Sequence, residues 1–600
     1  MGLSLTELLV EYLRSPLGLD EKAPRFSWQL SSDKKDTLQT AVEIRVREAK
    51  TEEEVWDSGL LSTDVSTGIT YEGKALKPCT AYVVQVEVTD NYGRKAVAET
   101  VFETGFLKKD KSVWEGADWI GAPDFHVAAN ARGVFVLEST FRMKEGSKRV
   151  GVVFGANDFR LLDHNQNEYG LEGENYIRYE INRAGETPVL DIYRVGYAKD
   201  DKKDVPFATV ELDKNVNFDE FHCLKIVVDG DKAFTYLDEK PVDVPETAMG
   251  PMKISGRVLN PRGHNDVLTY PRLNEIGFFA GEGDTAYFKD LTVKNLRTPG
   301  RTFVEETPEK VASIFAELPK EEGCFAVSGT QITKDPSRGA IPMLRSNIPV
   351  RKDAALQRAR LYVTARGIYD VHVNGARITE NLLAPGLTQY DKRMNYQTYD
   401  LTGILKPGNN GIGVALGSGW WCDAQTFVVK NYNYFGDKEA LLAKIVLEFA
   451  DGDREVYTTN PETWKYFGDG PYRYSGFFLG EQYDARKKAV YDAFSLADFD
   501  DSGWSAAAKE PWELPVIAEN RTFPAGFGRS WPQVHGGEVS FEGGYPAPVH
   551  VTAVRSAKKR LDQGEKIYIY DLEQEMAGVP RIHFHEKAGT KVIIRYAEVL

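Results

Sequence analysis

Residues 361–421 read LYVTARGIYDVHVNGARITENLLAPGLTQYDKRMNYQTYDLTGILKPGNNGIGVALGSGWW. Apolar side chains alternate through Leu361, Val363, Tyr369, Val371 and Val373, the two-residue period of a half-buried strand. Asn374-Gly375 then supplies the positive φ that a tight hairpin turn needs. Pro407-Gly408-Asn409-Asn410-Gly411 punctuates the chain before a second strand, predicted over Ile412 to Leu416. That strand ends at Gly417-Ser418-Gly419 and the pair Trp420-Trp421. The stretch reads as all-β, with aromatic residues at its rim.

The same grammar extends outward in both directions. Val42, Ile44 and Val46 alternate, as do Tyr82, Val84, Val86 and Val88 before Asp90-Asn91-Tyr92-Gly93. Phe221 to Val228 runs to a turn at Asp229-Gly230 and returns through Ala233 to Leu237, and Ile276 to Ala280 and Thr285 to Val293 follow. Towards the end, strands are predicted over Lys566 to Tyr570, Arg581 to His585 and Lys591 to Tyr596. No segment carries a long helical repeat of 3.6 residues, so the fold class is all-β, with several β-sandwich or jelly-roll domains in tandem.

Length and charge narrow the possibilities. The chain has 600 residues, well beyond the roughly 250–300 at which a single core stops growing. Asp and Glu number 89 against 74 Lys and Arg, a formal charge of -15. Basic residues are dispersed, so nucleic acid is excluded as a partner. No apolar run reaches the roughly 18 residues of a membrane-spanning helix. Cys79, Cys223, Cys324 and Cys422 lie far apart, which argues against a disulfide framework. No charged and apolar leader precedes the first strand. Either a signal was removed, giving a periplasmic or extracellular protein, which is the favoured expectation, or the chain is cytoplasmic.

Aromatic residues make up 12% of the chain. Exposed Trp and Tyr on β-sandwiches offer π faces to sugar rings, and the same residues are also strand and core formers. Trp420 and Trp421, with Tyr432 and Tyr434 in the loop Asn431-Tyr432-Asn433-Tyr434-Phe435-Gly436, are the stacking candidates. Neighbours on a strand face opposite sides, so one Trp of the pair at most would meet a given ligand. No serine elbow, phosphate loop, HExxH or CxxC is present. With so many carboxylates, spacing alone nominates no catalytic acid or base.

A resemblance sharpens this reading. The ordered elements Gly367-x-Tyr369 followed by Asn374-Gly375, APG-x-T-x-YDKR from Ala384 to Arg393, QTYD from Gln397 to Asp400, L-x-x-G-x-N from Leu405 to Asn410, and G-x-GWW from Gly417 to Trp421 resemble the N-terminal β-sandwich of bacterial α-L-rhamnosidases, glycoside hydrolase family 78. Arg14 to Asp20 with Pro24 to Trp28 resembles the start of such chains. Leu76 to Tyr82 resembles a fibronectin type III module, and the strands between Phe221 and Val293 resemble a concanavalin-like jelly roll of the laminin G type. Asp571 to Gly578 and Arg595 to Leu600 resemble the family's next β domain, although Leu572-Glu573-Gln574-Glu575 stands where the family has Phe-Gly-Gln-Asn. The expected division is therefore 1–110, a fibronectin-like sandwich; 111–122 with 302–511, the rhamnosidase sandwich; 123–301, a jelly roll inserted in it; and 512–600, a further β domain.

The resemblance implies an inverting glycosidase that removes terminal α-L-rhamnosyl groups from oligo- or polysaccharides, with a carboxylic acid and a carboxylate flanking the sugar. In the family both lie in an (α/α)6 barrel, expected downstream of residue 600, so no catalytic residue is expected within the chain. No cofactor is needed for such hydrolysis. Some sandwiches of this family hold calcium, structural or bridging to ligand, and Asp391, Asn395 and Asp423 are the candidate oxygen ligands here; as turn and edge polars they need no such role. The competing expectation is a non-catalytic carbohydrate-binding or adhesion protein built from the same sandwiches.

Overall fold

The computed structural model of the chain describes residues 2–123, 134–157, 175–197, 201–229, 232–242, 257–258, 273–295, 301–311, 313–333, 340–423, 435–477, 480–514, 539–544 and 549–597. The chain forms two compact units, Met1–Pro548 and Val549–Leu600. As the alternating patterns require, strands dominate the first unit.

The first unit opens on a small sandwich. One sheet is Ser4–Val10, Arg25–Ser31 and Ile69–Thr70; the other, in spatial order, is Glu54–Asp57, Gln39–Glu48, Ala81–Asp90 and Lys95–Glu103. Val42, Ile44, Val46, Tyr82, Val84, Val86 and Val88 all point into its core. The Tyr82 hydroxyl accepts the Lys77 N–H at 2.8 Å, pinning the strand corner in the manner of immunoglobulin-like sandwiches. Arg358 and Arg360 reach across from a later strand to the buried Glu103 at 2.6 and 2.8 Å, tying this sandwich to the next.

That next sandwich holds the stretch 361–421. Leu356–Arg366 pairs with Ala440–Phe449 and Arg393–Asp400, and the sheet continues through Trp119–Gly121 and Ala508–Glu510 on one side and Ser540–Gly543 on the other. A strand that precedes residue 123 and strands that follow residue 340 thus share one sheet. In the facing sheet, Ile368–Val373 turns through Asn374 and Gly375, both at positive φ, into Ala376–Arg377. The hairpin predicted from Asn-Gly is present. The strand expected over 412–416 is longer, Gly408–Gly417, because Met343–Val350 pairs with residues 408–415 and Ile368–Val373 with residues 412–417. Its glycines make room: a Cβ on Gly411 would lie 2.4 Å from the Ser495 carbonyl oxygen, and one on Gly413 would lie 2.5 Å from the Phe494 ring. The fully buried Arg345 holds that same segment, donating to the carbonyls of Phe494 and Leu496 at 2.9 and 3.1 Å.

Between these parts lies a two-sheet jelly roll. A six-stranded sheet runs Ala208–Glu211, Val189–Val195, Tyr176–Asn182, Arg149–Ala156, Glu275–Ala280 and Thr330–Ile332. The facing sheet is built on Val134–Met143, His222–Asp229 and Lys232–Leu237, with Leu291–Asn295 and Ala286–Phe288 also paired to Val134–Met143. Thr302–Glu306, Cys324–Val327 and Thr330–Ile332 pair into these two sheets as well, so the pairing runs past residue 301, where the sequence pattern places the end of the insert. One apolar core joins the two domains, Leu137, Phe154 and Phe278 clustering with Leu361, Val371 and Leu447. All four cysteines are free.

In the second unit, Lys559–Asp562 pairs with Tyr568–Asp571 as a hairpin. The strand expected near 566–570 is there, shifted by one or two residues. The strands expected over 581–585 and 591–596 are not: these residues lie outside any ladder and are mostly exposed. A strand is stabilised by cross-strand pairs and one buried face, and the described residues offer these segments neither.

Candidate functional site

The strand Gly408–Gly417 ends at Ser418, and Gly419–Cys422 closes a single helical turn. Trp420 and Trp421 therefore sit on a helix rather than on a strand, about 100° apart around its axis instead of on opposite faces. Trp421 is 1% exposed. Its Nε1 donates to the Lys438 carbonyl at 3.0 Å, and its ring stacks on Phe435 at 6.2 Å and meets Tyr390 edge-on at 5.7 Å. A Cβ on Gly436 would lie 2.5 Å from the indole, so the backbone there closes over the ring. Trp421 is core and offers no face to a sugar. Trp420 is half-buried at the rim, its ring 4.6 Å from that of Phe477, which is 37% exposed.

Asp423 caps this corner. Its buried Oδ2 accepts the Phe477 N–H at 2.9 Å, fastening the helical turn to the tip of the hairpin formed by Tyr472–Gly476 and Gly480–Tyr483. Phe477 is the residue that sequence reasoning missed; its signal is an aromatic doublet set between Gly476 and Gly480. Tyr432 and Tyr434 lie outside the described residues.

Of the other calcium candidates, Asn395 is buried on Arg393–Asp400, with its carbonyl accepting from Thr364 Oγ1 at 2.6 Å. Asp391 follows Tyr390 and has a buried Oδ1 with no hydrogen-bond partner. Calcium takes six to eight oxygens. Asp423 already spends one of its oxygens on a backbone N–H, and among the described residues no three His, Cys, Asp or Glu side chains gather as a metal-holding group.

Behind Trp421 lies a buried charged layer. Asp437 accepts from Asn295 Nδ2 at 2.6 Å and faces Arg301 Nε at 3.0 Å; Arg301 Nη2 also meets Glu510 at 3.0 Å, and Lys438 pairs with Glu510. Burial raises the Asp437 carboxyl above its ordinary range, opposed by the nearby Arg301 charge. Arg366 lies over the rings of Trp119 and Trp421 at 4.6 and 5.5 Å and donates to the Trp512 carbonyl; burial pulls its guanidinium down to about 10. The Cys422 thiol is likewise pushed well up by burial. These groups join Asn295 and Arg301 of the insert's end to the sandwich. The corner presents an aromatic rim, Trp420 and Phe477, over a sealed ionic layer.

Two family models match the chain. Residues 5–108 fit the Rha78A-like, N-terminal immunoglobulin domain, and residues 354–525 fit the Alpha-L-rhamnosidase N-terminal domain. Two stretches of the chain are thus similar to N-terminal domains of α-L-rhamnosidases. The opening sandwich is thus of the immunoglobulin type, whose architecture fibronectin modules share. An α-L-rhamnosidase of Streptomyces avermitilis is 28% identical over 610 residues, covering all of this chain and 51% of the relative. One from Formosa agariphila is 30% identical over 259 residues, 43% of this chain and 24% of the relative. The solved Streptomyces avermitilis α-L-rhamnosidase, complexed with L-rhamnose, superposes with a TM-score of 0.53 at 22% identity over 96% of this chain and 49% of that one, a likeness of fold. The chain spans about half the length of that relative.

Proposed function

We propose that this chain supplies the ancillary β domains of an α-L-rhamnosidase, which hydrolyses terminal α-L-rhamnosyl linkages of oligo- or polysaccharides with inversion. The observation that supports the reading is the similarity of this chain, along its whole length, to about half of the Streptomyces avermitilis protein, joined to the rhamnosidase domain match over 354–525. The acid and base that inversion requires, with room for a water between them, belong in this reading to an (α/α)6 barrel beyond residue 600. The 1–600 portion comprises an immunoglobulin-like sandwich, a rhamnosidase sandwich split by a jelly roll, and a further β domain.

Within the chain, Trp420 with Phe477 is the surface proposed for sugar stacking, since the pair sits at the rim. Asp391 is the remaining candidate calcium contact, and calorimetric titration with Ca2+ before and after Asp391→Ala tests it. The enzymatic reading is tested by incubating the full-length protein with a panel of aryl glycosides and following the released sugar by NMR. Cleavage of the α-L-rhamnoside with initial release of the β-anomer is expected. Cleavage of another sugar only overturns the substrate, and initial release of the α-anomer overturns inversion.

A further inference from the structure

The sequence contains two Asn-Gly dipeptides, Asn374-Gly375 and Asn410-Gly411. Such pairs are chemically labile, because glycine has no side chain to restrict or shield its own backbone nitrogen. That nitrogen can attack the side-chain Cγ of the preceding asparagine. Its proton passes to hydroxide, the N–Cγ bond forms, and the side-chain nitrogen leaves as ammonia. Water then opens the resulting succinimide at either carbonyl, giving aspartate or isoaspartate. The reaction needs a free glycine nitrogen and a side-chain amide able to turn towards it.

In the central sandwich the two dipeptides occupy each other. The Asn374 N–H donates to the Gly411 carbonyl at 2.9 Å, and the Gly411 N–H donates back to Asn374 Oδ1 at 3.2 Å. Asn374 Nδ2 donates to Asn410 Oδ1 at 2.8 Å and to the Ile404 carbonyl at 3.3 Å. Asn410 is completely buried. Its Nδ2 reaches the carbonyls of Lys406, Gly408 and Ile348 at 2.7, 3.1 and 3.3 Å, and its Oδ1 also accepts the Lys406 N–H at 2.9 Å. The remaining nucleophile, the nitrogen of the exposed Gly375, donates to the buried Ser495 Oγ at 3.1 Å. Both side-chain amides and both glycine nitrogens are therefore engaged.

We propose that Asn374 and Asn410 are modification sites gated by the fold, closed to deamidation in the folded sandwich and opened when Gly408–Gly417 leaves its neighbours. The modified chain cannot rebuild the same contacts. A carboxylate at 374 sets acceptor against acceptor at Asn410 Oδ1, and one at 410 places an unpaired charge among three buried carbonyls. The inference stands on these hydrogen bonds and is independent of the rhamnosidase reading.

The test incubates the full chain at mildly alkaline pH, folded in buffer and unfolded in guanidinium chloride, and follows aspartate and isoaspartate at each site by peptide mass mapping. Both sites are expected to react at least tenfold faster in the unfolded chain; equal rates in the two states would overturn the gating. Ser495→Ala frees the Gly375 nitrogen and is expected to speed reaction at Asn374 several-fold in the folded chain while leaving Asn410 unchanged. An unchanged Asn374 rate in that variant would overturn the part given to Ser495. Asn374→Asp, which copies one product at a half-buried position, is expected to lower the denaturant midpoint of the sandwich, and an unaltered midpoint would overturn the claim that the modified chain loses these contacts.

Discussion

Two regions of the chain speak the same strand grammar and fare differently. In the central sandwich, Leu361 and Val363 are completely buried, because Leu356–Arg366 pairs on one edge with Ala440–Phe449 and on the other with Arg393–Asp400. In the second unit, Ile593 and Tyr596 belong to an equally strand-like run yet are 66% and 74% exposed and unpaired. The contrast teaches that alternation in a sequence states what a segment would bury once paired; the partners decide whether it does. Leu361 finds Ile445 across its ladder, a long-range pairing that nothing local announces.

The comparison can be broken by substitution. The largest effect is expected at Trp421: replacing it with Ala empties the space against Phe435, Tyr390 and Gly436 and costs about 3–5 kcal/mol, read by urea unfolding. A loss under about 1 kcal/mol would mean the indole is not core. Trp420→Ala is expected to cost less than half as much, while weakening any sugar that stacks against Phe477; unchanged calorimetric titration with rhamnose would remove Trp420 from the site. At the other pole, Ile593→Ser is expected to change stability by no more than about 0.5 kcal/mol, as exposed substitutions do. Amide hydrogen exchange should agree, with residues 441–447 protected far longer than 581–596; equal protection would erase the distinction.

The smallest expected effect concerns pH. Glu115 is held below the ordinary glutamate range by hydrogen bonding to Arg454, against a burial cost, with Lys444 adding to it. A carboxyl lowered in the folded state contributes stability that is complete above its ordinary value and is lost as pH falls through the lowered one. Glu115→Gln should therefore reduce stability at pH 7 and flatten its loss between about pH 5 and 3. Because the side chain is more than a third exposed, solvent screening keeps the effect below about 1 kcal/mol. A variant that follows the parent's acid profile would show that Glu115 contributes nothing to it.

Much of the fold was legible because short-range chemistry dictates it. Asn374-Gly375 specifies a tight turn, and the alternation around Val42 and Val84 specifies strands with one buried face. The site was harder to read. Trp420 and Trp421 follow a strand in sequence, but Gly419 adopts a positive φ of 50° and the chain turns helical there, which changes which indole faces out. Phe477 joins Trp420 from 57 residues away through a hydrogen bond between Asp423 and a backbone N–H, a contact with no sequence period. In the insert, the Tyr193 and Phe279 rings come to Arg178 only through the ladders of Tyr176–Asn182 with Val189–Val195 and of Arg149–Ala156 with Glu275–Ala280, long-range pairings that no local pattern announces.

The central claim is that the chain provides binding and scaffolding domains while hydrolysis resides in chain beyond residue 600. It is tested most directly by comparing release of nitrophenol from p-nitrophenyl α-L-rhamnoside by residues 1–600 alone and by the product of the complete coding frame. The account predicts no release above buffer for residues 1–600 and steady turnover for the longer protein. Turnover by residues 1–600, or none by the complete protein, would contradict it.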